Sequence, residues 1–251
     1  MDKINQLMKS WQKGTVKLSS TLKEMGYQKD LLKKYVQSGW LESLGYGAFK
    51  LAEDNIEWYG ALKALQEQKN SMLHPGGKTA LILKGYGHYL SAALHQIDLF
   101  GNKTDVPPKW FKENDWQVAI SFMETKLFNY STEEFFSRIV TNSIEFKISS
   151  PELSAMEMLN LIPKGQSFDE ALKIMEGLVT LRPQLIQSLL EQCNSIKVKR
   201  LFLFMAEKND LPWISELNLR KIYLGSGKRS IIQDGVFNKK YNITVPREYA
   251  G

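Results

Sequence analysis

Apolar residues recur at helical spacing along much of the chain. Ile4, Leu7, Met8 and Trp11 fall at i, i+3, i+4 and i+7, which predicts a first helix with one apolar stripe, ended by Gly14. Leu18, Leu22 and Met25 predict a second helix, with Ser19 and Ser20 as N-caps and Gly26 at the C′ position. A third helix is expected from about Gln28 to Ser38. It sets Leu31, Leu32, Tyr35 and Val36 on one side and Lys29, Lys33, Lys34 and Gln37 on the other, with Asp30. The period then switches to two. Strands at about 41–44 and 48–52 flank the turn Gly45-Tyr46-Gly47, whose glycines suit a tight hairpin. Trp58–Gln68 returns to the helical period, with Ala61, Leu62 and Leu65 inward.

The remainder alternates between the two periods. Asn102–Asn114, with Pro107-Pro108, is loop-rich and the best place for a boundary. Trp116–Met123 and Ser143–Ile148 read as strands. Pro151 opens a helix carrying Met156, Met158, Leu159 and Leu161. Ser167-Phe-Asp-Glu170 is a capping box for a helix to about Leu181, and Arg182-Pro183 starts another that ends near Cys193. A long amphipathic helix spans 196–208, with Val198, Leu201, Phe202 and Met205 inward. Leu219–Leu224 and Tyr241–Val245 look like strands, with the basic loop Gly225-Ser-Gly-Lys-Arg229 between them. The expected fold is α+β, with an N-terminal winged helix-turn-helix domain (1–95) followed by a larger mixed α/β C-terminal domain (96–251).

Charge adds a second layer to this pattern. The 251 residues carry a net charge of +6, and it is unevenly spread. Residues 1–95 hold 13 lysines against 8 carboxylates, 96–195 hold 9 cations against 14 carboxylates, and 196–251 hold 11 against 5. A basic head, an acidic middle and a basic tail imply surfaces with different partners. One cysteine, Cys193, excludes a disulfide framework and multi-cysteine zinc, and it reads as a core thiol. The longest apolar run, Leu201–Ala206, is far short of a membrane span, and no secretory h-region is expected at the N-terminus. The expected location is cytoplasmic, with no membrane association.

Helix, helix, turn, helix, hairpin is the order of a winged helix-turn-helix, whose recognition helix enters the major groove of double-stranded DNA. That role falls to the third helix. Lys29, Lys33 and Lys34 would hold phosphates, Gln28 and Gln37 would read bases, Tyr46 would tip the wing, and Ser19 and Ser20 would lie beside it. Lys78, in His74-Pro-Gly-Gly-Lys-Thr79, invites a phosphate-loop reading. However, Met72 stands where the motif requires glycine and a helix precedes it, so the stretch is expected to be a turn and helix start. Lys78 is then a further DNA-phosphate candidate or a structural lysine. His88 has no ligand at metal spacing and no Gly-x-Ser-x-Gly elbow occurs. No catalytic residue, metal or cofactor is therefore expected. Lys228 and Arg229 present a flexible basic loop suited to RNA, a phosphate or an acidic protein patch.

Three stretches carry a family likeness: Ser43–Leu51 with Glu57–Gln68, His74–Leu90, and Leu224–Ile232. Together they resemble the AbiE-type (AbiEi-like) antitoxins of type IV toxin–antitoxin, abortive-infection systems of phage defence. The resemblance implies a winged-helix transcriptional repressor of its own promoter repeats. It also implies a C-terminal domain that counteracts a cognate nucleotidyltransferase-like toxin. Within that domain the charge of their loop makes Lys228 and Arg229 the antitoxicity candidates. Two rivals remain open from the residues: an enzyme acting on nucleotides or on the toxin, and a plain transcription factor with an effector-binding second domain.

Overall fold

The protein was analysed as a computed structural model that describes residues 3–86, 94–129 and 132–249. It is α+β. The head begins with α1 (Lys3–Lys9), β1 (Lys17–Leu18), α2 (Ser19–Glu24), α3 (Lys29–Gln37), β2 (Leu41–Gly45) and β3 (Ala48–Leu51). The three strands form an antiparallel sheet in the order β1-β3-β2. β1 is too short to show an alternation, which is why the sequence does not announce it. The head has its own core of Ile4, Leu7, Trp11, Leu22, Tyr27, Leu32, Leu41 and Leu51.

Some local expectations need correction. The first helix stops at Lys9 rather than Gly14, yet Trp11 still reaches the core and its indole N–H donates to the Thr15 carbonyl at 3.0 Å. Ser19 and Ser20 are not N-caps. Extended Leu18 occupies the cap without a side-chain bond, because its backbone is held in the sheet, and both serines lie exposed in the first turn. Met25 is 42% exposed rather than inward.

Next come α4 (Trp58–Gln68), β4 (His74–Pro75), α5 (Gly77–Leu83), β5 (Gln96–Gly101), α6 (Lys109–Glu113) and β6 (Ala119–Glu124). The sheet order is β4-β5-β6, and β5 and β6 run parallel. The loop-rich 102–114 passage is therefore a crossover within one sheet, since parallel neighbours need a long connection. It contains α6. The hairpin β7 (Phe136–Thr141) and β8 (Ile144–Ser149) covers α4. Gln66 joins them: its amide donates to the carbonyls of Leu73 and Lys147 and accepts from the Lys147 N–H, each at 2.8 Å. The core around α4 thus draws residues from Val16 to Ile148.

The second half is largely helical: α7 (Pro151–Asn160), α8 (Phe168–Glu176), α9 (Pro183–Gln192) and α10 (Ile196–Lys208), then the pair β9 (Val236–Asn238) and β10 (Ile243–Val245). Ser150 and Ser167 cap α7 and α8 as their motifs predict. α8 ends at Glu176, earlier than Leu181. Leu219–Lys221 is a 3-10 turn, not the start of a strand, and β9 is instead the partner of β10. Buried residues run continuously from Glu152 to Leu159, so α7 is enclosed on all sides by its neighbours.

Two carboxylates on α7 are buried, and each is matched. Glu152 takes three hydrogen bonds from Arg182, at 2.9, 2.9 and 3.0 Å. Burial pushes the Glu152 carboxyl up, but the hydrogen bonds and charge of Arg182 more than offset this and hold it below its ordinary value of 4.5. A carboxyl depressed in the fold contributes stability above pH 4.5 that is lost as pH falls through the lowered value. Urea unfolding midpoints of Glu152→Gln, compared with wild type across pH 3 to 7, are expected to show a shallower loss on the acid side. An unchanged acid limb would count against this assignment.

Glu157 is completely buried. One oxygen faces His74 Nε2 at 2.9 Å, and the other accepts from the Ser149 hydroxyl at 2.7 Å and the Gly77 N–H at 3.1 Å. This contact explains the His-Pro-Gly-Gly stretch: a β-carbon on Gly76 would overlap the Glu157 carboxylate. The stretch is a docking turn that fastens β4 and α5 to α7.

Candidate nucleic-acid interface

The approach to α3 is set by a tight α2–α3 turn. Gly26 takes a φ of +89°, the Gly26 N–H donates to the Lys23 carbonyl at 3.0 Å, and the Tyr27 N–H donates to the Leu22 carbonyl at 2.9 Å. These are the paired bonds of a Schellman ending, and Leu22 and Tyr27 complete it by meeting in the core. Gln28 is then the N-cap of α3, and its carbonyl accepts from the Leu32 N–H. Leu32 faces inward, while Lys29, Lys33, Lys34 and Gln37 are exposed.

The β2–β3 hairpin stands opposite α3. Tyr46 is fully exposed at its tip, with Gly47 at φ +83° beside it. The Ser19 N–H donates to the Gly47 carbonyl at 2.9 Å, so the tip is tied to the start of α2. Gln68 at the end of α4 donates to the Val16 carbonyl and accepts from the Leu18 N–H, both at 2.8 Å, which fixes β1.

Between these elements runs an open groove of about 1090 Å³. It brings together Ser19, Ser20, Gln28, Lys29, Lys33 and Tyr46 from the sequence-derived set, and Lys23 with them. Lys23 was missed, although it lies four and three positions after Ser19 and Ser20 on the same helical face. Lys34 and Gln37 are exposed on α3 but do not line the groove. Lys78 stands apart on α5 and forms an ion pair with Glu170 at 2.9 Å, which is the structural reading of that lysine. Lysines on an exposed helix face opposite a protruding hairpin make an electropositive concave surface, suited to a phosphate backbone.

The basic tail forms a separate surface. Lys228 and Arg229 are both exposed. The Lys228 ammonium lies 4.9 Å from the Phe237 ring centroid. The Arg229 backbone pairs with Asn242 and Thr244 at 3.0 Å each. Beneath the loop, Arg200 is 1% exposed, and its guanidinium donates to the carbonyls of Leu224, Gly225, Gly227 and Asn242 at 2.6 to 3.0 Å. In the sequence Arg200 is one more charge on an amphipathic helix; only the fold shows that it holds the loop.

Enzyme-like constellations are poor. Ser149, Glu157 and His74 form a hydrogen-bonded row, but each is wholly buried, so no substrate reaches them. Burial pushes the Cys193 thiol up to about 11, which leaves little reactive thiolate. Among the described residues no group of three or more His, Cys, Asp or Glu could hold a metal, and no helix is long and apolar enough to cross a membrane. His88 lies outside the described residues.

Comparison with known proteins covers both halves of the chain. A family model described as "Transcriptional regulator, AbiEi antitoxin N-terminal domain" matches residues 1–92. A second, described as "Transcriptional regulator, AbiEi antitoxin, Type IV TA system", matches residues 94–246. Among solved structures, the RV2827C protein from Mycobacterium tuberculosis is similar in fold, with a TM-score of 0.62 at 12% identity, over 96% of this chain and 88% of that one. No curated protein matches the chain by sequence.

Proposed function

Because the chain belongs to the AbiEi antitoxin family of transcriptional regulators from type IV toxin–antitoxin systems, we propose that it represses its own operon by binding double-stranded DNA at promoter repeats, and counteracts a cognate nucleotidyltransferase-like toxin. Residues 1–95 carry the DNA function as a winged helix-turn-helix. Residues 96–251 carry antitoxicity, with Lys228 and Arg229 as contact residues. Both functions are exercised in the cytoplasm without a catalytic step or a cofactor, and counteracting the toxin does not require a stable complex with it.

The observation that supports this reading most is the groove in which Lys23, Lys29, Lys33 and Gln28 face the tip of the hairpin. Lysines there set affinity and register, and Gln28 is placed to read a base edge. In a salt titration on promoter DNA, Lys29→Ala/Lys33→Ala is expected to reduce the slope of log affinity against log salt by about 0.9 per lysine. Binding should weaken on all sequences alike. Gln28→Ala should instead relax preference for the promoter over unrelated DNA, by about 1–3 kcal/mol. Lys34→Ala, outside the groove, should matter less. Unchanged promoter binding in the double lysine variant would remove α3 as the recognition element.

A further inference from the structure

A second cleft lies on the other side of the hairpin tip. Its volume is about 640 Å³, and Ser19, Ser20, Gly45, Tyr46 and Gly47 line it as well as the α3 groove, so the two form one continuous trough under the tip. The far wall comes from the ends of two other elements: Lys69, the C-cap of α4, and Lys109, Trp110 and Glu113 of α6. We propose that this cleft is a second DNA-backbone site, in which Lys69 and Lys109 hold phosphates beyond the hairpin. The proposal rests on the DNA-binding reading and extends it to a residue beyond 1–95, Lys109.

Three observations support it. First, both lysines are exposed and line the cleft. The trough as a whole sets Lys23, Lys29, Lys33, Lys69 and Lys109 against Asp30 and Glu113, so its lining is net positive in both clefts taken together and favours a polyanion that follows the α3 groove past the tip. Second, Lys109 stands on a rigid platform. Trp110 and Phe111 are buried, Phe111 packs on Trp116 at 5.3 Å, and the Trp116 indole donates to the Phe111 carbonyl at 2.7 Å. Gly45 fits against this platform so closely that a β-carbon there would come within 3.0 Å of the Trp110 Cβ. The hairpin tip and the Lys109-bearing α6 are therefore held in one fixed arrangement. Third, the partner that Lys109 already has is easily displaced. Glu113 lies 3.6 Å away, and both side chains are largely exposed. Such surface pairs contribute little, and a phosphate is a better acceptor.

The test is a salt titration of the full chain on two duplexes of equal length, one from its own promoter region and one unrelated. Lys69→Ala and Lys109→Ala are each expected to lower the log–log salt slope by about 0.9 and to weaken both duplexes equally. Lys109→Arg should keep the slope, and Glu113→Gln should tighten binding. Unchanged slopes in both alanine variants, with wild type binding normally, overturn the second site and leave the α3 reading intact. Loss of toxin rescue with DNA binding unchanged also overturns it, by assigning the cleft to a protein partner. Wild type that binds neither duplex defeats the DNA reading itself.

Discussion

Glu157→Ala is expected to lower folding stability by about 3–5 kcal/mol, because it strips a fully buried histidine of its carboxylate. The His74 Nδ1 faces the Met72 carbonyl and its Nε2 faces Glu157, so both ring nitrogens are held by fixed partners. Remove Glu157, and the ring, the Ser149 hydroxyl and the Gly77 N–H all lose a partner in a site closed to water. At about 2–4 °C per kcal/mol for a chain of this size, the thermal midpoint should fall by roughly 6–20 °C. Replacing His74 and Glu157 together by apolar residues should cost less than the two single changes combined, since neither side chain is then left facing a missing partner. A midpoint within about 2 °C of wild type for Glu157→Ala would refute the account. The same physics bears on truncation. A cut after residue 95 separates His74 and Gly77 from Glu157 and β4 from β5, so a division of function near that residue does not make two independently stable fragments.

The second large effect is expected at Arg200. Arg200→Lys keeps the charge, but a single ammonium cannot reproduce a planar fork that reaches four carbonyls. Hydrogen bonds to charged groups are worth about 1.5–3 kcal/mol each, so losing several should exceed about 3 kcal/mol locally, before water recovers part of it. The loop from Leu224 to Arg229 would then open. The expected result is loss of hydrogen-exchange protection at the Arg229 and Thr244 amides, which pair across the loop at present. If the loop carries antitoxicity, rescue of growth in the presence of the toxin is lost with it, while promoter binding persists. Lys228→Glu/Arg229→Glu should lose rescue without losing that protection. Preserved protection in Arg200→Lys would show that the fork does not hold the loop. Normal rescue in the charge-reversed pair would remove Lys228 and Arg229 as contacts.

Legibility in the sequence followed the range of the interactions. The α4 limits, Trp58–Gln68, and the α10 limits, 196–208, can be read directly from periodicity, because one face of each helix is buried over several turns. The α2–α3 turn announces itself through Gly26, and the Ser150 and Ser167 caps through their local motifs. β1, β4, β5, β7 and β9 do not announce themselves in the sequence. β1 and β4 are two residues long and β9 three, β5 pairs with β4 and β6 across long connections, and β7, although it pairs with the adjoining β8, has no fully buried position to set a period. Of the residues proposed to meet DNA, those on one helix could be grouped from their spacing. Lys23 shares the α2 face of Ser19 and Ser20 and was within reach of the same spacing, but Lys69 and Lys109 were not, because they lie on different elements and meet only around the hairpin tip.

The sequence by itself determined the order of helices and hairpin in the head, the lysine face of α3, and the likeness to a family. Each of these depends on residues within a few positions of one another, where helical and extended periods govern which side chains share a face. The tertiary structure decided the rest. It turned a phosphate-loop-like stretch into a docking turn on Glu157 and paired Lys78 with Glu170. It also turned Arg200 from a surface charge into a buried clasp. These outcomes depend on partners 24 to 92 positions away. Burial is what decides between the roles: a charge shut away from water must find its partners wherever the fold brings them, and neither spacing nor composition records where that is.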